Sequence, residues 1–154
     1  MAIFNSPRGR CVACHSGAEL TDRRFHNIGV GFDGPYRPDR DLGRFAVTGK
    51  DEDYGSFKTP TLQNVERTAP YMHDGSLATL EEVVAFYNQG GHPNANLDPR
   101  IGKLNLNAEE QAAMVAFLKA FTAPDNLKDM GKLPGIHNPK TVKEPLTIPA
   151  ELLR

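Results

Sequence analysis

Two cysteines and a histidine stand together in the segment Cys11-Val12-Ala13-Cys14-His15. Two residues separate the thiols, and the imidazole follows the second thiol directly. This is the attachment pattern of c-type haem. Both thiols can add to the haem vinyl groups as thioethers, and His15 then lies under the iron as its proximal axial ligand. The spacing predicts one turn that presents both sulfurs to one porphyrin edge, and therefore one covalent haem c.

Two other kinds of site use the same residue types. A Cys-x-x-Cys redox centre is expected in a thioredoxin-like βαβ context, but Gly, Arg and Ser surround this pair and no β-rich run precedes it. A structural zinc site needs more Cys or His ligands at suitable spacing. The chain has two cysteines, and its other histidines are scattered, at His26, His73, His92 and His137. Haem attachment is favoured, and a small zinc-binding module is the non-haem alternative.

The composition limits the classes of protein that fit. A chain of 154 residues suits one domain of ordinary size. A net charge of −1 leaves no basic excess to neutralise the phosphates of a nucleic acid. No apolar run approaches the roughly 20 residues needed to span a bilayer. The hydrophobic content of 39% is low for a globular domain, and a buried haem would supply apolar surface of its own.

Haem c implies assembly outside the cytoplasm, normally in a bacterial periplasm. The segment Met1-Ala2-Ile3-Phe4 carries neither the charged region nor the long apolar region of a secretory signal. Only ten residues precede Cys11. The expectation is therefore a fragment, a processed subunit, or a gene start assigned too late, from a protein that is exported.

A helix is predicted from Thr79. The segment Thr79-Leu80-Glu81-Glu82 has the pattern of a capping box, in which the hydroxyl and the Glu82 carboxylate bond first-turn amides reciprocally. The apolar face follows helical spacing, with Leu80, Val83, Val84 and Tyr87. Gly90-Gly91 is expected to end the helix.

A second helix is predicted from Asn107, with Glu110 three residues on. Its buried stripe is expected to consist of Met114, Val115, Leu118 and Phe121, with Pro124 after its end. Residues 16–57 are rich in Gly, Asp, Arg and Pro, which favours a long loop around a cofactor. Short helices are expected near residues 2–4 and over 62–67. Residues 123–154 contain five prolines without helical period, which favours an extended, Pro-rich C-terminal tail.

The ordered motifs of the chain resemble a known family. The resemblance is to the C-terminal haem domain of bacterial di-haem cytochrome c peroxidases and the related MauG-type enzymes. It extends from residue 1 to about residue 122. The matching segments are Cys11–His15, Thr21-Asp22, Phe25-His26-Asn27-Ile28-Gly29, Asp41-Leu42-Gly43-Arg44, Phe57–Val65, Thr68–Gly75 and Thr79–Glu82.

The resemblance implies a mainly α-helical, cytochrome c-like domain over residues 1–122. The family's complete enzymes hold two haems in two domains, one of which meets hydrogen peroxide while the other stores and relays electrons. This chain has one haem motif and therefore resembles the electron-relay half. Two alternatives stay open: a free-standing mono-haem electron carrier, and an enzyme whose own haem reacts with peroxide after losing a weak sixth ligand.

The sixth iron ligand is the residue that decides the chemistry. The family supplies Met in peroxidases and Tyr in MauG-type enzymes, fourteen residues after the His of the Tyr-x-His-Asp-Gly motif. Counting from His73 reaches Tyr87. Met72 is the competing ligand, and a Tyr packed in the core with its hydroxyl bonded is the other interpretation of Tyr87. A thioether favours Fe(II), whereas a phenolate favours Fe(III) and lowers the potential.

Further residues take their expected roles from the resemblance. Thr68 and Pro70 match positions whose backbone carbonyls help to hold a calcium ion between the two haem domains. His26 and His73 are expected to line the haem surroundings. Arg44 and Lys58 are candidate partners of the haem propionates, with a solvated surface charge as the alternative. The expected partners are a second haem domain or subunit and a small redox protein.

Overall fold

The computed structural model describes residues 2–32 and 39–123. In these ranges the secondary structure is mainly α-helical, as predicted. The helices are α1 (Ala2–Asn5), α2 (Phe45–Thr48), α3 (Leu80–Gln89) and α4 (Ala108–Lys119), and the strands are β1 (Phe25–His26) and β2 (Phe57–Lys58). Three 3-10 turns lie at Cys11–Ala13, Asp51–Asp53 and Val65–Arg67. The predicted tail lies, from residue 124 onward, outside the described residues.

None of the helices in these two ranges has the length and apolar character that crossing a bilayer requires.

The capping box predicted at Thr79 is present at the start of α3. The Thr79 hydroxyl accepts from the Glu82 amide at 3.1 Å, and the Glu82 carboxylate accepts from the Thr79 amide at 3.0 Å. Gly90 ends the helix at φ 93°, a left-handed conformation that glycine adopts without steric cost. The expected boundaries of α3 are confirmed at both ends.

A reciprocal cap also starts α4. The Asn107 side chain accepts from the Glu110 amide at 2.9 Å, and Glu110 accepts from the Asn107 amide at 3.0 Å. Met114, Val115 and Leu118 are buried, as predicted. Phe121 lies beyond the helix end and is partly buried, with its ring 4.8 Å from that of Phe117.

The core lies where α1, α3 and α4 meet. Phe4 of α1 is buried and places its ring edge-on to Phe117 of α4, with the centroids 5.3 Å apart. Edge-to-face pairs of this kind add to the hydrophobic gain of burial. The buried cluster comprises Phe4, Leu62, Val65, Leu80, Val84, Met114, Val115 and Leu118. This cluster fixes the two long helices as one side of the fold.

The segment 16–57 contains more regular structure than predicted. β1 pairs antiparallel with β2, with His26 opposite Phe57, and α2 and one 3-10 turn also lie in it. Each element has only two to four residues, too few to produce a detectable period in the sequence. The pairing is long-range, so it had no local sequence signal.

The helix expected over 62–67 is shorter than predicted. Only Val65–Arg67 forms a 3-10 turn, because Asn64 before it adopts a left-handed conformation at φ 58°. The Asn64 amide donates to the Phe121 carbonyl at 3.0 Å, and its side chain accepts from the Ala123 amide at 3.0 Å. Asn64 therefore joins this segment to the end of α4 rather than extending a helix.

Asn27 holds the long connecting segment together from inside. It is 1% exposed, and its side-chain amide donates to the Tyr54 carbonyl at 2.8 Å. Its side-chain oxygen accepts from the Gly29 amide and from the Asn94 side chain, and its backbone carbonyl accepts from Asp98 at 2.9 Å. One buried side chain thus joins three segments that are far apart in sequence.

We expect Asn27→Ala to lower the free energy of unfolding by about 3 kcal/mol, because it leaves several buried polar groups without partners. Chemical denaturation followed by circular dichroism measures the change. Asn5→Ala, at an exposed position on α1, is the control and should change it by less than about 0.5 kcal/mol. Equal small effects of the two substitutions would contradict the role given to Asn27.

Candidate haem-binding site

The Cys-x-x-Cys-His segment forms the single turn that its spacing predicts. Cys11–Ala13 is a 3-10 turn, and the His15 amide donates to the Cys11 carbonyl at 2.8 Å. Cys11, Cys14 and His15 all line one cavity, and both cysteines are free thiols. Burial raises the pKa of the Cys11 thiol to about 11. Both sulfurs and the imidazole therefore face the same space.

The imidazole of His15 is oriented from behind by the backbone. Its Nδ1 lies 3.0 Å from the Leu20 carbonyl oxygen, which requires Nδ1 to carry the proton. Burial is the largest influence on the ring and lowers the pKa of His15, so the imidazole is neutral at pH 7. A neutral ring bonded at Nδ1 keeps the Nε2 lone pair for a metal, the usual arrangement of ligating histidines.

The cavity has a volume of about 470 Å³. The apolar face predicted for α3 lines it, and the segment before α4 contributes two buried leucines. Asn88 on α3 fixes this segment, accepting from the Leu106 amide at 2.7 Å and donating to its carbonyl at 3.1 Å. The apolar lining includes Phe4, Ile28, Val30, Leu62, Val65, Leu80, Val83, Val84, Ile101, Leu104, Leu106, Met114 and Leu118.

The charged groups that line the cavity are all cationic. They are Arg10, Lys58 and Arg100, and no carboxylate is among the lining residues in the described ranges. An apolar space with cationic side chains matches a flat macrocycle that carries two carboxylates. Together with two thiols and a free imidazole nitrogen, the residues present fit haem c.

Arg44 is the predicted propionate partner that the structure places elsewhere. Its Nε donates to Asp53 Oδ2 at 3.1 Å, and its guanidinium lies 4.4 Å from the centroid of the Phe25 ring. It is not among the residues that line the cavity. The ion pair and the aromatic contact hold the side chain there. Lys58, the other predicted partner, does line the cavity.

Sequence reasoning missed Arg10 and Arg100. The Arg10 guanidinium donates to the Arg100 carbonyl at 3.2 Å, so the two residues lie together at one part of the wall. Arg100 is 86 positions from Cys14 in sequence, and no motif marks it. A lone arginine in a turn-rich segment gives no local signal, and only the folded chain brings it to the cavity.

His26 lines the cavity, with both ring nitrogens against charged groups. Its Nε2 lies 2.8 Å from Asp22 Oδ2, and its Nδ1 lies 2.9 Å from Asp98 Oδ2 and 2.6 Å from Arg100 Nη2. Arg100 also forms a two-point pair with Asp98, at 2.9 and 2.6 Å. The expected position at the cavity therefore comes with protein carboxylates as partners.

His73, Met72 and Tyr87 are the remaining candidate residues that line the cavity. The ring of His73 stacks on Phe57 with centroids 3.5 Å apart. Met72 and Tyr87, the two candidate sixth ligands, both line the cavity. Burial is the largest cause of the raised pKa of Tyr87, so the phenol keeps its proton at pH 7 unless a cation compensates the charge. The described contacts leave both side chains available.

Three potential zinc ligands lie close together in the structure. Cys14, Asp22 and His26 place potential ligand atoms within 4.8 Å of one another. In the described ranges this group has three members, whereas structural zinc sites are closed by four ligands. His26 and Asp22 are moreover bonded to each other. The cluster fits a zinc site less well than the cavity fits haem.

Thr68 and Pro70, the positions matched to a calcium site, are exposed and lie on either side of Ala69. The Thr68 hydroxyl donates to the Val65 carbonyl at 2.9 Å. Both residues also border the cavity.

Relatives of known function identify the family. The sequence is 37% identical to the cytochrome-c peroxidase IdrP1 of Denitromonas iodatirespirans, over 90% of this chain and 43% of that protein. It is 35% identical to the methylamine utilization protein MauG of Methylorubrum extorquens, over 86% of this chain and 36% of that protein. The chain belongs to the cytochrome c peroxidase and MauG family. No protein-family profile matches the sequence.

Solved structures of the family have the same fold. A MauG-like protein associated with microbial copper homeostasis superposes with a TM-score of 0.73 at 35% identity, over 80% of this chain and 45% of that one. The di-haem peroxidase BthA of Burkholderia thailandensis shares the fold with a TM-score of 0.63 at 23% identity. The chain spans less than half the length of the relatives it matches.

We expect protein matured with the haem-attachment machinery to have the mass of the polypeptide plus one haem. Cys11→Ser and Cys14→Ser should each remove one thioether, and the double variant should have the mass of the bare polypeptide under denaturing conditions. Ser16→Ala, beside the turn, is the control and should keep the full mass. Denaturing mass spectrometry decides, and a wild-type chain without added mass would contradict the site.

Proposed function

We propose that this chain is the electron-transferring haem c domain of a di-haem cytochrome c peroxidase or MauG-like oxidoreductase. It would relay electrons or oxidising equivalents to or from a peroxide-reacting haem on another domain or polypeptide. The observation that carries the proposal is the convergence of Cys11, Cys14, His15 and Tyr87 on one cavity. The presence of one attachment motif in a chain that covers under half of its relatives' length supports the relay role.

The protein's contribution to such a relay is to bind, orient and shield. A bound haem c supplies reversible one-electron chemistry at its iron. The two cysteines would hold one edge of the macrocycle, and the Leu20 carbonyl holds the His15 ring in the tautomer that can ligate. The apolar residues of α3 and of the segment 101–106 line the cavity and would shield a haem bound there from water.

Tyr87 is proposed as the sixth ligand. The residue lies on the cavity face of α3 and is one turn beyond Val83 and Val84 on that face. A buried phenol with a raised pKa loses its proton only beside a compensating cation, and ferric iron is such a cation. A hard, anionic phenolate favours the ferric form and lowers the potential, which suits the sharing of oxidising equivalents.

We expect Tyr87→Phe to change the absorbance spectrum of the ferric protein, because it removes the phenolate and keeps the ring. Met72→Leu, which removes the competing thioether, should leave the spectrum unchanged. The wild-type protein should also lack the long-wavelength charge-transfer band of sulfur-ligated ferric haem. The opposite pattern, a change with Met72→Leu alone, would transfer the ligand role to Met72.

If His15 and Tyr87 both bind the iron, the chain should be inert to peroxide. We expect no spectral change on rapid mixing of the ferric wild-type protein with hydrogen peroxide, measured by stopped-flow absorbance. Tyr87→Ala removes one axial group and should make the spectrum sensitive to peroxide. A wild-type protein that reacts as fast as this variant would favour the alternative of an enzyme in its own right.

The same proposal includes the location and partners of the chain. The proposed location is outside the cytoplasm, in a periplasm, and haem c attachment and the family support it. The expected partners are a second haem domain or subunit and a small redox protein.

A calcium ion held partly by the Thr68 and Pro70 carbonyls would lie beside that second domain, since exposed carbonyl oxygens suit a hard cation. Copurification of a second haem chain would distinguish this arrangement from a solitary carrier.

A further inference from the structure

Four charged or titratable side chains form a layered group at one wall of the cavity. Arg100 and His26 line the cavity, whereas the two carboxylates that bind them, Asp98 and Asp22, are not among the lining residues. The cationic member of the group thus faces the cavity, and the anionic members stand behind it. We call this group the charged wall.

The ions of the charged wall are permanent at physiological pH. The two-point pair with Arg100 is the largest cause that lowers the pKa of Asp98, to about 2. The same pair raises the pKa of Arg100 above its usual range. The pKa of Asp22 is also lowered, with hydrogen bonds from the Arg24 amide and from His26 opposing its desolvation. Neither arginine nor carboxylate changes its charge near pH 7.

The charged wall is attached directly to the turn that bears the cysteines. Arg100 Nη1 lies 3.4 Å from the Ala13 carbonyl, between Cys11 and Cys14. The Asp22 amide donates to the Cys14 carbonyl at 2.7 Å. The side chains of Asp22, Asp98 and His26 are only 13%, 11% and 10% exposed. Three of the four members are poorly solvated and the group lies against the turn that bears both cysteines, so its charges would act on a cofactor attached there.

We propose that the charged wall sets the reduction potential of the haem, with Arg100 raising it and Asp98 and Asp22 lowering it. The inference rests on the proposed haem site. Oxidation of the iron adds one positive charge to the cavity, which a nearby cation opposes and a nearby carboxylate favours. Arg100 lines the cavity, whereas Asp98 and Asp22 do not, so the cation and the two carboxylates should shift the potential in opposite directions.

This role offsets the phenolate. A Tyr ligand lowers the potential, and a cation on the wall counteracts part of that effect. Arg100 acts here as an electrostatic and positioning residue, since it orients His26 and the attachment turn without needing to touch iron. Arg100 would therefore raise the reduction potential above the value that His15 and Tyr87 alone would give.

The test compares the direction in which each substitution shifts the reduction potential of the haem-loaded protein. Arg100→Gln should lower the midpoint potential, measured by spectroelectrochemical titration, because it removes the cation and leaves Asp98 unpaired. Asp98→Asn and Asp22→Asn should each raise it. The double variant Arg100→Gln/Asp98→Asn should lie between the two single variants. If the charged wall had only a structural role, every variant would loosen it and admit water. The potential would then shift in the same direction in all of them.

Two controls separate charge from shape. Arg100→Lys keeps the charge and loses the two-point geometry, so it should retain most of the wild-type potential. Arg23→Gln and Glu19→Gln alter an exposed ion pair, Nε to Oε2 at 2.9 Å, and should not shift it. The Arg100 side chain is 37% exposed, so the shift caused by Arg100→Gln should shrink at high salt.

Equal potentials across the variants, or shifts of one sign, would overturn the inference. If Arg100→Gln fails to mature, the two carboxylate variants decide it, since a fall in potential with either contradicts the proposal. Haem incorporation is checked first by mass in every variant. A wild-type chain that attaches no haem refutes the proposed function itself, whereas an intact haem with an unmoved potential refutes only the role of the charged wall.

Discussion

The structure depends on holding one short turn against an apolar space that cationic side chains border. The turn Cys11–Ala13 brings two thiols and the His15 ring to one wall, while α3 supplies the wall that bears Tyr87. The chain has only 39% hydrophobic residues, and the apolar surface of a macrocycle would complete the packing around this space. A rigid macrocycle with an apolar surface and two carboxylates would match both the apolar lining and the cationic side chains of this site.

The rest of the fold holds the attachment turn and α3 in fixed positions around the cavity. Phe4 packs α1 against Phe117 of α4 and against Phe121 after it. The buried cluster then joins α4 to α3. The long connection has few apolar residues, and it is held by polar contacts instead. Asn27 supplies several of these from a buried position, and the pair of short strands joins the connection to the segment that carries Lys58. Polar networks of this kind specify one geometry because each unsatisfied buried group is costly.

The sequence predicts those features whose signal is local. These features occupy consecutive or regularly spaced positions, so they can be recognised in the sequence before the fold is known. They are the attachment motif, both capping boxes and the apolar face of α3. The family resemblance adds Tyr87 and the overall class. Arg100 and the carboxylate partners of His26 have no such signal, since Asp98 and His26 are 72 positions apart. Arg44 shows the converse: it is a basic residue inside a family motif, but it does not line the cavity and its Nε donates to Asp53 Oδ2.

An iron held in this cavity between His15 and a side chain of α3 can be located by anomalous diffraction at the iron edge, from crystals of the matured chain. We expect a single iron peak within coordination distance of His15 Nε2 and of the Tyr87 oxygen, with density continuous from both cysteine sulfurs to the macrocycle. A map without iron in the cavity, or a metal peak among Cys14, Asp22 and His26, would contradict it.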